Sequence, residues 1–214
     1  MKNKKEQLRP DAFYHIYNRA NGKERLFVNP GNYNFFLKRY KKYIHPIGST
    51  FAYCLMPNHF HFLVLIREEK EIVQEMQNQN SKYLSALKDS LNTAQLKIEI
   101  ISKFISLQFS HFFNGYAQAF NKQQNRRGSL FMAPYKRILI ENEEYFRRLI
   151  RYIHYNPIMA GLAENIYDWE YSSYNAIISE KPTLVSRNEI LSYFNDKDNF
   201  IYWHKSEQDI STLF

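Results

Sequence analysis

The chain has 214 residues, 44% of them hydrophobic, which is enough to bury one large core with decorations. It contains no apolar run of membrane-spanning length, which excludes a membrane-spanning protein. Its single cysteine excludes a disulfide framework and favours a cytoplasmic protein. A net charge of +8, an isoelectric point near 9.4 and 17% aromatic residues suit a partner rich in phosphate, such as a nucleic acid.

The first third of the chain predicts a strand, a helix and a β-hairpin. Alternating residues indicate strands, and apolar residues three and four apart indicate the helix. Pro57 suits a turn, because no ladder donor is needed there. In order, the elements are a strand over 12–18, a helix over 31–44, and strands over 50–55 and 60–66 joined by the turn 56–58.

The rest of the chain is mostly helical in pattern. Residues 68–122 read as long helical sequence, and we interpret 70–108 as a helical insertion. A strand is predicted over 131–140. The acidic run 141–144 then suits the start of another helix, which Pro157 is expected to end. Residues 179–214 are interpreted as a C-terminal extension of a domain spanning 1–178.

Two histidines, His59 and His61, stand one residue apart inside the apolar run 51–66. Side chains alternate along a strand, so both rings point to one face with Cβ atoms about 6–7 Å apart. From that separation both rings can converge on one cation. A histidine that merely forms hydrogen bonds in a strand is the common alternative, so the pair needs support from ligands elsewhere.

Such support comes from the predicted helix, where Tyr152 and Asn156 are four residues apart and share one face. A tyrosine nucleophile, an amide oxygen and a histidine pair are the parts needed for metal-assisted phosphoryl transfer on a nucleic acid. Packing is the alternative role for Tyr152, because the chain has 17 tyrosines. Tyr155 is the rival nucleophile, although it cannot share the face of Asn156 as well.

Basic residues are concentrated near these groups in the sequence. They occur in the segment 122–128, in the pair 136–137 and on the helix of Tyr152. Contacts to DNA phosphates are expected of them, with a solvated surface as the alternative. The residues predicted to bind DNA are Arg126, Arg127, Lys136, Arg137 and Arg151.

Four motifs occur in the order seen in the single-tyrosine HUH transposases: MPNHFH at 56–61, NRRGSLF at 125–131, YIHYNP at 152–157 and WEYSSY at 169–174. The chain most resembles the REP-associated tyrosine transposase branch, over roughly residues 12–175. The resemblance implies an α+β fold, namely a ferredoxin-like antiparallel sheet with helices packed on one face.

The resemblance also implies the chemistry. His59 and His61 would bind a divalent metal, with Asn156 as third ligand where related transposases have a glutamine. Tyr152 would attack the scissile phosphate of single-stranded or hairpin DNA, leaving a 5′-phosphotyrosine and a free 3′-hydroxyl. Two imidazoles and one amide oxygen suit Mg²⁺ or Mn²⁺. Related transposases act as dimers or as monomers, so a homodimer is one expectation.

Two other functions remain open from the sequence. A domesticated protein could bind structured single-stranded DNA or RNA without cutting it, although such a protein would be free to lose the tyrosine or the histidines. An unrelated metal-dependent hydrolase would need an acid or base near the histidine pair, and no Asp or Glu stands in that motif.

Overall fold

A computed structural model describes residues 6–89 and 93–206. Its strands are β1 (Phe13–Arg19), β2 (Gly48–Met56), β3 (His59–Ile66) and β4 (Lys136–Ile140). They form a central antiparallel sheet with the spatial order β2, β3, β1, β4. Strand β3 pairs with β1 and β2, and β1 also pairs with β4. The prediction of a ferredoxin-like α+β fold is confirmed.

Four helices cover one face of the sheet, on the side of Tyr14, Ile16 and Phe60. The first begins where the side chain of Asn29 accepts a hydrogen bond from the backbone N–H of Asn32, with proline at its first position. The long fourth helix packs on the first through a core rich in aromatic rings. These helices are α1 (Pro30–Tyr43), α2 (Glu69–Asn78), α3 (Lys82–Asp89) and α4 (Ala94–Gln123).

The segment 70–108, predicted to be an insertion, contributes to this core. It contains nearly all of α2, all of α3 and the first half of α4, apart from residues 90–92, which lie outside the described ranges. Ile72, Met76 and Leu87 are buried in the same cluster as the sheet residues. The domain boundaries drawn from the sequence remain a prediction.

The opposite face of the sheet is also covered by helices, whereas the sequence predicted helices on one face only. Phe51, Cys54 and Leu63 point to this side and are buried, so they require a second layer. That layer consists of α5 (Glu143–Met159), α6 (Tyr174–Ile178), α7 (Arg187–Ser192) and α8 (Lys197–Lys205). The predicted C-terminal extension supplies α7 and α8, and its residues 207–214 lie outside the described residues.

The motif at 169–174 attaches this layer to strand β2. The backbone N–H of Leu55 donates to the carbonyl of Tyr171 at 2.9 Å, and that of Tyr53 donates to Ser173 Oγ at 2.8 Å. The indole N–H of Trp169 donates to the carbonyl of Leu55 at 3.0 Å. These bonds satisfy edge groups of β2 and fix the segment that follows α5.

Two predicted boundaries were wrong. Strand β4 begins only at Lys136, after a bend at residues 133–134. Helix α5 does not end at Pro157 but continues to Met159. The proline lies in the last turn, and Gly161 just beyond the helix adopts a positive φ of 66°, which glycine accommodates without strain.

Among the helices in residues 6–89 and 93–206, none combines the length and apolar character needed to cross a membrane.

Candidate functional site

Strand β3 places both predicted histidines on the face that α5 covers. His59 is opposite Arg19 of β1, and His61 is opposite Tyr17. The centroids of the two histidine rings are 5.2 Å apart, with an angle of 88° between the ring planes. A two-residue turn at 57–58 leads directly into the strand, so the rings are held by the sheet and not by a loop.

Helix α5 crosses this face and brings Tyr152 and Asn156 to the histidines. Asn156 Oδ1 lies 3.0 Å from Nε2 of His59, and the Tyr152 ring stands edge-on to His61 with centroids 5.4 Å apart. Asn156 Nδ2 donates to the carbonyl of Tyr152 at 3.1 Å, which fixes the orientation of the amide. Asparagine, although shorter than glutamine, therefore reaches His59, because α5 packs against the sheet.

The hydrogen-bonding pattern around His59 fits a cation. Its Nδ1 lies 2.7 Å from Oδ1 of Asn58, and its Nε2 lies 3.0 Å from Oδ1 of Asn156. Burial lowers the pKa of His59, and a neutral imidazole carries only one N–H. One ring nitrogen can donate to a neighbouring amide oxygen, and the other offers a lone pair. With the proton on Nδ1, which faces Asn58, Nε2 and the Asn156 oxygen would both offer lone pairs to a cation.

Such a site would depend on the amide. Among the described residues, no group of three or more His, Cys, Asp and Glu side chains is placed to hold a metal ion. The donor set would be His59, His61 and the carbonyl oxygen of Asn156. Burial, with smaller contributions from His15 and His59, lowers the pKa of His61 well below its usual value. Neutral imidazoles are the form that binds metals.

Two residues of β1, His15 and Tyr17, belong to the same cluster and were not predicted. His15 Nε2 lies 2.8 Å from Nδ1 of His61, with ring centroids 5.0 Å apart and an angle of 18° between the planes. Tyr17 stacks on both rings, at 4.6 Å from His15 and 5.6 Å from His61. Alternation along β1 puts both on one face, but only the pairing of β1 with β3 brings that face to His61.

An open pocket of about 470 Å³ lies in front of this cluster, and we call it the histidine pocket. It contains two basic side chains, Arg19 and Lys136, and none of its lining residues is acidic. The pocket is therefore suited to an anionic ligand. Its lining consists of Tyr17, Asn18, Arg19, Asn58, His59, His61, Met132, Ala133, Pro134, Lys136 and Tyr152.

Tyr152 lines this pocket with its ring half-buried. Burial raises the pKa of its phenol above the usual value, and a hydrogen bond with the Asn156 side chain acts in the opposite direction. The phenol is accordingly protonated at neutral pH. A nearby positive charge would be needed to favour the phenolate.

The predicted DNA-binding residues separate into groups. Lys136 lines the histidine pocket and is exposed. Arg137 lies beside it on β4 and points to the other side, where its guanidinium donates to the hydroxyl of Tyr135 at 2.9 Å. Arg127 is exposed in the loop after α4, whereas Arg126 forms an ion pair with Glu24 at 3.2 Å and stabilises that loop.

Arg151 is not brought together with these residues. It is 7% exposed and faces helix α8, where its guanidinium donates to the carbonyls of His204 at 3.4 Å and Ser206 at 2.9 Å. Tyr155 has the same surroundings, since its hydroxyl donates to the carbonyl of His204 at 2.6 Å. The sequence suggested DNA contact for Arg151 because the C-terminal helix that covers it was not foreseen.

Comparisons with known proteins agree with the resemblance. No family model matches the chain. A Haemophilus influenzae protein named "Putative REP-associated tyrosine transposase" is 26% identical over 129 residues. That match spans 59% of each chain, less than two thirds of the relative's length. A solved structure of a REP-associated tyrosine transposase bound to a REP hairpin superposes with a TM-score of 0.55 and 12% identity, covering 85% of this chain and 88% of that one. The structural likeness shows a shared fold, and the motif-based resemblance to this branch is confirmed.

Proposed function

We propose that this chain is a REP-associated tyrosine transposase that cleaves and rejoins single-stranded DNA through a 5′-phosphotyrosine. The observation that supports the proposal most directly is the packing of α5 against β3. Asn156 Oδ1 lies 3.0 Å from His59 Nε2, and both His59 and Tyr152 line the histidine pocket. The solved relative, described as bound to a REP hairpin, supports hairpin DNA as the substrate.

In this proposal the scissile phosphate enters the histidine pocket, drawn by Arg19 and Lys136. The hydroxyl oxygen of Tyr152 forms a bond to phosphorus, and the bond from phosphorus to the 3′-oxygen breaks. The phenolic proton leaves to water in the open pocket, and the departing oxygen gains a proton to become a 3′-hydroxyl. Attack by a 3′-hydroxyl on the phosphotyrosine reverses the step and joins strands.

The residues that would hold a divalent cation, Mg²⁺ or Mn²⁺, are His59, His61 and Asn156. When bound, the cation would neutralise charge on the phosphate oxygens and lower the pKa of the nearby phenol. The helix keeps Tyr152 edge-on to His61, so nucleophile and ligands need no rearrangement of the backbone to act together.

The test is a denaturing-gel assay with labelled hairpin DNA from the flanks of the chain's own gene, in Mg²⁺, Mn²⁺ or EDTA. We expect a metal-dependent covalent adduct with the wild type and none with Tyr152→Phe. Tyr202→Phe is the matched control, because Tyr202 lies on α8, is 72% exposed and does not line the histidine pocket. An adduct that survives Tyr152→Phe would contradict the assignment and make Tyr17, the other tyrosine of the pocket, the next candidate.

The same assay tests the alternative of a non-catalytic binder. Binding of the hairpin without an adduct in any metal would favour that alternative. If His61→Ala forms no adduct and also fails to bind Mn²⁺ in calorimetry, the missing adduct reflects loss of the metal and not loss of the nucleophile.

A further inference from the structure

A second cavity, of about 640 Å³, adjoins the histidine pocket, and we call it the α4 pocket. One wall is the face of α4 that carries Ser106, Ser110, Asn114 and Gln118, each four residues after the last. The other wall is the loop 128–135. The two pockets share Asn18 and the segment 132–134, which form the partition between them.

The walls of the α4 pocket are preformed. Asn18 Nδ2 donates to the carbonyl of Met132 at 2.9 Å, which attaches the partition to β1. At the other end, Asn121 Nδ2 donates to the carbonyl of Gly128 at 2.9 Å, and its Oδ1 accepts from Arg126. The cavity therefore does not depend on a bound ligand for its shape, and its volume is within the range of about 300–1,000 Å³ usual for small-ligand sites.

The lining has the chemistry of a nucleobase site. Apolar and aromatic surface comes from Phe113, Phe131 and Tyr135, which suits the face of a base. Arg137 supplies positive charge beside Tyr135, and no lining residue is acidic. These properties favour part of a polyanion over a cation or a basic peptide.

Asn114 and Gln118 supply polar groups that can read a base edge. Both are exposed, and within the described part of the chain neither side chain forms a hydrogen bond. An amide presents one donor and one acceptor side by side, a pattern that matches N7 and the 6-amino group of adenine.

We propose that the α4 pocket binds one unstacked nucleobase, most favourably adenine, of the DNA strand whose phosphate occupies the histidine pocket. Asn114 and Gln118 contact its edge. This inference rests on the proposed function, since the strand is placed by the chemistry at Tyr152. It assigns the choice of cleavage position to α4, on the opposite side of the partition from the nucleophile.

The experiment uses the full chain and a hairpin oligonucleotide with a randomised single-stranded flank of eight nucleotides. Bound DNA and covalently attached DNA are recovered separately and sequenced. We expect the wild type to enrich adenine at one flank position by about tenfold, since one bidentate amide contact discriminates by about that order. The variant Asn114→Ala/Gln118→Ala is expected to lose that enrichment while keeping its circular dichroism spectrum, because alanine favours an exposed helix.

Gln95→Ala is the matched control, since Gln95 is an exposed amide on α4 outside both pockets. It should preserve the enrichment. An abasic nucleotide at the enriched position should weaken wild-type binding. It should weaken binding by the Asn114→Ala/Gln118→Ala variant less, because that variant keeps only the contact of the aromatic rings with the base.

The outcomes distinguish this inference from the proposed function. An adduct without any base preference, or a preference that survives Asn114→Ala/Gln118→Ala, overturns the inference and leaves the proposed function intact. A preference in the bound fraction without an adduct in any metal supports the inference and contradicts the proposed chemistry. Absence of both the base preference and the adduct overturns the inference and the proposed function together.

Discussion

His15 Nε2 lies 2.8 Å from Nδ1 of His61, so a buried histidine of β1 orients a histidine of β3. Burial lowers the pKa of His15 to about 3, and the pair is therefore neutral near pH 7. With a cation bound at Nε2, His61 would carry its proton on Nδ1 and donate it to His15. The contact with His15 is therefore compatible with the tautomer that a metal requires.

From this contact we expect His15→Phe to weaken Mn²⁺ binding by about 10- to 100-fold, the usual effect of losing a partner of a metal-binding histidine. The measurement is calorimetry with Mn²⁺ in the absence of DNA. His111→Phe, on the exposed side of α4, is the control and should leave the affinity unchanged. Equal affinity of His15→Phe and the wild type would show that His61 needs no such partner.

Changes at Asn156 test the amide as a ligand. Asn156→Ala removes the oxygen that lies 3.0 Å from His59 Nε2 and should reduce both Mn²⁺ affinity and adduct formation at least tenfold. Asn156→Gln keeps a carbonyl oxygen, as at the matching place in related transposases, and should retain more of both. If Asn156→Gln and Asn156→Ala lose Mn²⁺ affinity and adduct formation equally, the length of the side chain determines both quantities and a carbonyl oxygen alone is not sufficient.

Arg151 should matter for stability and not for DNA affinity. Its guanidinium is buried and donates to carbonyls at the end of α8, so Arg151→Met leaves acceptors without their donor. We expect the free energy of unfolding in urea to fall by about 2–4 kcal/mol. Hairpin affinity, measured where the variant is folded, should stay within about twofold. A large loss of affinity in a fully folded Arg151→Met protein would restore the sequence-based assignment.

Lys136 should behave in the opposite way, since it is exposed at the mouth of the histidine pocket. Lys136→Ala should weaken hairpin binding and lower the slope of log affinity against log salt by about 0.7–0.9, as loss of one phosphate contact does. Its unfolding curve should match the wild type. Lys88→Ala, on α3 and outside the histidine pocket, is the lysine control for which neither quantity is expected to change.

A chain of hydrogen bonds joins α5 to α8 and predicts acid sensitivity. Ser173 Oγ lies 2.8 Å from Nε2 of His154, whose Nδ1 lies 3.0 Å from Nε2 of His204. Nδ1 of His204 lies 2.8 Å from the carbonyl of Phe200. One tautomer of each neutral ring satisfies every group. Burial lowers the pKa of His204 to about 3 and that of His154 well below its usual value, with Arg151 adding to the effect on His204.

Because the folded-state pKa values are below the unfolded value of about 6.5, the unfolded chain binds more protons in acid. Above about pH 6.5 these two histidines therefore cause no loss of stability. As the pH falls from about 6.5 towards 3, protonation of the unfolded chain lowers the free energy of unfolding progressively. His204→Gln should reduce the slope of unfolding free energy against pH by up to about 1.4 kcal/mol per pH unit in that window. An unchanged slope would show that His204 is not a source of the acid sensitivity.

Much of the geometry of the candidate site could be predicted from the sequence, because its parts follow local rules. Alternation along a strand put His59 and His61 on one face, and helical spacing put Tyr152 with Asn156. His15 was not predictable, since its contact with His61 depends on which strands are neighbours in the sheet. The burial of Arg151 was missed for a similar reason. A helix more than forty residues later in the chain covers it, and no short-range pattern reports such a contact.

The attachment of α8 to α5 also affects synthesis of the chain. Helix α5 is synthesised before residues 197–206, so the carbonyls that Arg151 and Tyr155 bind are added only after it. A product of interrupted translation would contain the histidine pair and the tyrosine without these acceptors. Fragments that end before α8 would therefore expose the face of α5 that carries Arg151 and His154, which is buried in the whole chain.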